Sequence, residues 1–135
     1  MSMPGIIDRV HAAIVARLKA DTALMTILKG VWDDVPDSQA YPYVQMGDPM
    51  QTPEDVFGNQ GRVVVVTLHV WSRYQGQKET SAVLKRIAEL LDRHQLAVTG
   101  AVVVRCTVES ENIMRDPDGR TRHGVATYRI EASET

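Results

Sequence analysis

The chain is predicted to be α+β, an antiparallel β-sheet with N-terminal helices and one long helix packed on one face. Three observations predict it. Helical periodicity opens the chain and returns over residues 77–94. Extended, β-branched runs lie between these segments and after them, the longest being Val63-Val64-Val65-Val66-Thr67-Leu68-His69-Val70-Trp71-Ser72. Strong turn chemistry, Asp116-Pro117-Asp118-Gly119, joins the last two such runs as a hairpin. Runs of strands flanking a helix favour this class over repeated β–α–β units. Residues 1–135 are expected to form a single domain, without internal repeat, low-complexity tract or linker.

A first helix is expected over 4–19, because Ile6, Ile7, Val10, Ile14 and Leu18 recur three and four apart and make one apolar face. Pro4 suits its first turn, where a missing N–H costs nothing. Asp21 reads as the N-cap of a short helix over 22–29, with Leu24, Ile27 and Leu28 inward and Gly30 as its left-handed C′ residue. Val31-Trp32 is a short extended piece, and Tyr43 to Gly47 reads as a strand that begins after Pro42. Residues 48–61, polar and carrying Pro49, Pro53, Gly58, Asn59 and Gly61, read as a long mobile loop.

The central strand is expected over 62–72. Its even positions, Val64, Val66, Leu68 and Val70, form an uninterrupted apolar face, while Val63, Val65, Thr67, His69 and Trp71 form a mixed, partly covered one. In the long helix, Val83, Leu84, Ile87, Leu90 and Leu91 make the buried stripe. The chain is then expected to re-enter the sheet at Leu96-Ala97-Val98, to continue as a strand over 101–113, and to close the hairpin over 121–131.

Composition narrows the functional classes. Hydrophobic residues make up 44%, well clear of disorder, and a core burying roughly two-thirds of the unfolded surface is within reach. A net charge of −2 offers no bulk attraction to nucleic acid or anionic lipid. A single cysteine, Cys106, excludes an internal disulfide framework and a multi-thiolate zinc site, and suits a reducing compartment. Neither a signal peptide nor an apolar run long enough to span a bilayer is expected, which makes the cytosol the default site of synthesis.

Candidate chemistry is sparse. None of His11, His69, His94 and His123 is paired at a metal-binding helical spacing. His69 shares a strand face with Trp71 and Thr67, and its ordinary reading is a half-buried histidine bonded to a neighbour. Asp33, Asp34 and Asp37 form a carboxylate cluster that lacks the glycine and distal glutamate of a calcium loop, so a solvated turn is the simpler reading. Cys106, beside Val104 and Val108, reads as a small core residue with no base to activate it. Trp71 and Tyr74 read as packing rather than a stacking platform, since aromatics are only 5% and no basic stripe accompanies them. Arg115, Asp116, Asp118, Arg120 and Arg122 surround the hairpin turn. They are either an ordinary balanced tip or a charged one that docks a partner or a phosphate.

Several short motifs stand in a particular order. A helical pair leads to Trp32-Asp33-Asp34-Val35-Pro36 and Tyr41-Pro42-Tyr43-Val44. A polar stretch precedes Val66-Thr67-Leu68-His69-Val70-Trp71-Ser72 and Gly76. After a helix, Arg115-Asp116-Pro117-Asp118-Gly119 precedes His123-Gly124 and a final strand. Over nearly the whole chain this order resembles the tail-completion, or head–tail joining, proteins of long-tailed bacteriophages and prophages. The resemblance implies a structural virion-assembly role, similar to ring-forming tail terminators that end the tail tube and connect it to the head. It also implies partners, namely copies of the chain itself in a commonly hexameric ring, the tail tube protein and head connector proteins. The place of action would be the virion tail or neck, after assembly in the cytoplasm of the bacterial host. It carries over no catalytic residue, cofactor, metal, specific nucleic-acid binding or membrane contact.

A closed ring needs heterologous contacts. The candidate contact residues are Asp48, Gln51, Glu54, Asp55, Phe57 and Asn59 in the polar stretch, with Arg115, Asp116, Asp118 and Arg120 at the hairpin turn. They would order on assembly. The competing reading is a small ligand-binding or enzymatic domain with a pocket between sheet and helices near His69 and Trp71, with Cys106. A nucleic-acid contact module is a third, disfavoured by the charge balance.

Overall fold

The computed structural model describes residues 4–54 and 61–135, with the side chain of Val104 left aside. Two helices come first, α1 (Ile6–Lys19) and α2 (Thr22–Ile27). Strands β1 (Val31–Trp32), β2 (Tyr43–Met46), β3 (Met50–Pro53) and β4 (Gly61–Ser72) follow, then α3 (Lys78–Leu91) and the hairpin of β5 (Ala101–Arg115) and β6 (Arg122–Glu134). The described strands form one six-stranded sheet in the order β1-β2-β4-β6-β5, with β3 pairing to the free half of β4. Every pairing is antiparallel except β1 with β2, so the sheet is mixed rather than purely antiparallel.

The helices cover one sheet face. Ile6, Val10, Ile14 and Leu18 of α1 are buried, as are Val83, Leu84, Ile87 and Leu91 of α3. They meet Val64, Val66, Leu68 and Val70 of β4 and Ala126, Tyr128 and Ile130 of β6 in one core. Alternation along β4 and β6 leaves the opposite residues half-buried, apart from the buried Val63, and no described element packs over them.

Polar side chains lock the helices in place. Asp21 caps α2 by accepting from the Leu24 N–H at 2.9 Å, and its two oxygens also accept from Arg86 of α3 at 2.8 and 2.6 Å. Ser72, at the end of β4, donates to Glu79 at 2.7 Å and accepts from the Tyr74 N–H, which ties the start of α3 to the strand.

The Arg86 guanidinium and the Leu24 N–H outweigh burial and lower the Asp21 pKa from 3.8 to about 2. Between those values the unfolded chain binds the proton more readily, so this contribution to stability is complete above 3.8 and lost as pH falls through 2. In denaturant titrations from pH 5 down to about 2, the wild-type midpoint is expected to fall. Asp21→Asn keeps a capping oxygen but is expected to start lower and fall less. Parallel curves for the two proteins would refute the assignment. A shallower residual slope is expected in the variant from Asp118, whose pKa is also lowered to about 2, first by its bond from the Thr121 hydroxyl.

Four expectations about the elements change. Residues 50–53 are strand β3, not loop; all four are exposed, and their backbone rather than an apolar pattern holds them to β4. The chain does not re-enter the sheet at Leu96-Ala97-Val98. Leu96 and Val98 are buried without strand pairing, because the Arg93 N–H bonds the Cys106 carbonyl and Asp92 takes the Val108 N–H, turning the chain outside the ladder. The short second helix ends at Ile27, with Leu28 already extended, so Gly30 is not its left-handed cap. Gly30 serves contact instead, since a Cβ there would collide with Nε1 of Trp32. Finally, α3 stops at Leu91, three residues short of the expected end.

Candidate functional site

Two surface features lie at the end of the sheet where β4 stops and the β5–β6 hairpin turns. The first is an aromatic and histidine cluster on the open face. Trp71 and His123 are directly opposite each other on β4 and β6, and their rings stack 3.9 Å apart at 8°. His69 Nδ1 and His123 Nε2 are 2.7 Å apart, so one ring nitrogen donates to the other. The Trp71 indole N–H donates to Gln45 at 3.1 Å. Burial lowers the pKa of both histidines; for His123 the neighbouring His69 lowers it further, while Asp48 beside His69 and Asp116 beside His123 act the other way. Sharing one bridging hydrogen requires at least one neutral ring, which suits a structural pair at neutral pH.

Beside this cluster is a shallow cavity of about 260 Å³, lined among others by Gln45, Asp48, His69, Trp71 and His123. It does not lie between sheet and helices. His69 and Trp71 face away from the helices, whereas Cys106 pairs with Ile130 inside the helix-covered core. A site combining His69, Trp71 and Cys106 is therefore not formed. Burial pushes the Cys106 thiol up to about 11, which suits a buried core residue and leaves almost no thiolate at neutral pH.

The second feature is the hairpin tip. Asp118 accepts from the Arg120 and Thr121 N–H groups at 2.8 Å each and from the Thr121 hydroxyl at 2.6 Å. This local bonding shapes the turn. Arg73, on the turn that leaves β4, donates to the Thr121 hydroxyl at 3.3 Å and lies 4.4 Å above the Tyr41 ring. A cavity of about 350 Å³ opens between these two turns, and Arg73, Arg120 and Arg122 all line it.

The candidate contact residues fall into separate places. Asp48 is exposed beside the histidine cavity, and Gln51 and Glu54 are exposed on or just after β3. Arg115, Asp118 and Arg120 are exposed and Asp116 half-buried at the tip. Asp55, Phe57 and Asn59 lie outside the described residues. β3 pairs near Arg62 and the tip begins opposite Ser72. At ~3.3 Å per residue the two groups are on the order of 30 Å apart, at opposite ends of the sheet. Sequence reasoning left Arg73 and Arg122 out of the contact set. The signal was present in the alternation of Arg120 and Arg122 leaving the turn, but only the pairing of Ser72 with Arg122 brings Arg73 to them.

Comparison with known proteins fixes the family. The family described as tail completion protein gp17 matches residues 12–131, from within α1 to near the end of β6. The chain belongs to the gp17 tail-completion family. A relative from Bacillus phage SPP1, "Tail completion protein gp17", is 27% identical over 118 residues, covering 87% of each chain. The solved structure of bacteriophage SPP1 gp17 matches with a TM-score of 0.64 and 26% identity, over 91% of this chain and 88% of that one. A chain from the virion of a native gene transfer agent particle matches with a TM-score of 0.86 over 97% and 99% of the two chains. At 16% identity this likeness concerns the fold. The family match thus spans residues 12–131, a stretch that includes the histidine cluster and the arginine-lined tip.

Proposed function

We propose that this tail-completion protein acts at the end of the tail of a long-tailed phage or prophage. There it ends the tail tube and connects it to the head as a ring of its own copies, most simply a hexamer. The observation that carries the reading is the match of the tail-completion family across residues 12–131. The surface supports it: an open sheet face, a projecting charged hairpin tip, and an exposed edge strand β3 at the far end supply distinct patches, as head-to-tail contacts require. Asp48, Gln51, Glu54, Asp55, Phe57, Asn59, Arg115, Asp116, Asp118 and Arg120 are the residues assigned to those contacts. Residues 1–135 act as one unit in this reading, with the tail tube protein on one side and head connector proteins on the other.

Mixing the purified protein with tails that lack their terminating component is expected to restore joining to filled heads and infectious particles, with closed rings visible on tube ends by electron microscopy. A protein that binds neither tube ends nor connectors at any concentration would sink the reading.

A further inference from the structure

The hairpin tip carries more positive charge than its fold uses. Arg73, Arg120 and Arg122 line one cavity of about 350 Å³ between the turn after β4 and the β5–β6 turn. Asp118 is the near carboxylate. It faces Arg73 but spends its oxygens on the Arg120 and Thr121 N–H groups and the Thr121 hydroxyl. Among the described residues neither Arg120 nor Arg122 has an ion-pair partner. The register adds a second tension: Arg115 and Arg122 lie directly opposite each other across β5 and β6. Like charges in that position destabilise a strand pair, and an external anion between them relieves the repulsion. Arginine forks are also the side chains best shaped to receive carboxylates in pairs.

The matching anion is on the same chain. Asp33, Asp34 and Asp37 are all exposed on the connection from β1 to β2, beside the edge of the sheet opposite the hairpin. Among the described residues the one ion-pair contact of these carboxylates is with the His11 ring, whose Nε2 lies 3.9 Å from Asp33. Within one molecule the carboxylates follow β1 at one edge of the strand order, and Arg120 and Arg122 belong to the hairpin beyond β4. Tyr41, later in the connection that holds the carboxylates, lies under Arg73, yet among the described residues no ion pair joins Asp33, Asp34 or Asp37 to the three arginines. A contact that the single chain leaves unmade is open to a second copy, and because the patches differ it is head-to-tail, the geometry that propagates into rings.

We propose that the arginine cleft of Arg73, Arg120 and Arg122 is a socket for the Asp33, Asp34 and Asp37 carboxylates of a second copy of this chain. The proposal rests on the self-assembly reading above and names the contact that drives it. A phosphate chain of nucleic acid is the competing occupant. It is disfavoured because the chain as a whole is acidic, at −2, and because the complementary carboxylates are already present on it.

A charge exchange tests this. One variant carries Arg120→Glu and Arg122→Glu, and the other carries Asp33→Lys, Asp34→Lys and Asp37→Lys. Each alone places like charges in the contact, and each is expected to associate about tenfold more weakly or worse than wild type in sedimentation velocity at low salt. Mixed in equal amounts, the two are expected to assemble again, because each then offers the other an opposite charge at both patches. Circular dichroism confirms that each variant folds. If the arginine variant does not, Asp33→Asn with Asp34→Asn and Asp37→Asn must weaken association on its own. Two variants that assemble like wild type would overturn the socket and leave self-assembly standing. A wild type that never associates would overturn both. Arginine variants that keep assembling but lose retention of duplex DNA would overturn the socket in favour of a phosphate site.

Discussion

Replacing Tyr128 with alanine is expected to cost about 3–5 kcal/mol of unfolding free energy, whereas Tyr128→Phe is expected to cost nothing or to add up to about 1 kcal/mol. Tyr128 is the largest fully buried side chain in the core. It stands on the helix-covered face of β6, opposite Val66 of β4 and Val108 of β5. Truncation would leave a ring-sized hole in the middle of the sheet, which a rigid three-strand frame cannot close by collapse. The hydroxyl is a different matter. It is buried and makes no hydrogen bond to any described residue, and burial pushes the phenol pKa far up. A buried polar atom without a partner opposes folding, so its removal with the ring retained relieves a cost. Equilibrium unfolding in urea at neutral pH checks both variants. A loss above about 1 kcal/mol in the phenylalanine variant would mean that the hydroxyl is bonded in the folded protein.

Much of this core could be read before the fold was known, because burial here follows period. The spacing of Ile6, Val10, Ile14 and Leu18 and the alternation from Val64 to Val70 each name one buried face, and these faces meet. The Asp-Pro-Asp-Gly turn is equally local, since Asp118 makes its bonds to residues two and three further on. What escaped reading lacks a local cause. β3 is Met50, Gln51, Thr52 and Pro53, all exposed, and nothing in those side chains asks for a strand; the unpaired half of β4 does. Leu96 and Val98 are apolar enough for a strand, yet they bury themselves as plugs because Asp92 and Arg93 are already bonded to β5.

The surface features were harder still, for the same reason. His69 stood out as a strand residue, but its partner His123 is 54 positions away, and only the register of β4 with β6 supplies it. The arginine cleft gathers residues from two turns that the sequence separates by a helix and a strand. Membership of the tail-completion family is equally absent from any single residue: it emerges from motif order across the chain and from the family match over residues 12–131. On the proposed reading, the informative residues are those whose charges or bonds the fold leaves unused.

Gly124→Val is expected to destabilise the protein by about 3 kcal/mol, and Gly124→Ala by about 1 kcal/mol, although either change would strengthen an ordinary strand. Gly124 sits in β6 between Val70 and Ile113, in backbone that any residue could adopt. The obstacle is α3. A Cβ at this position would lie 2.6 Å from the Thr80 methyl, 3.3 Å from Val70 Cβ and 3.4 Å from Leu84 Cδ1. Thr80 is fully buried in the first turn of α3, whose start is already tied to β4 through Ser72 and Glu79, so the helix has little freedom to lift. Overpacking therefore outweighs the gain of ~0.5–1 kcal/mol from a lower unfolded-state entropy. The cause can be isolated. Thr80→Ser removes the offending methyl, and in the Gly124→Ala background it is expected to recover most of the loss, although alone it costs about 1 kcal/mol. The resulting cycle should show a coupling of about 1 kcal/mol or more between the two positions. Additive effects, or a Gly124→Ala protein more stable than wild type with Thr80 in place, would show that the helix is not seated on this glycine.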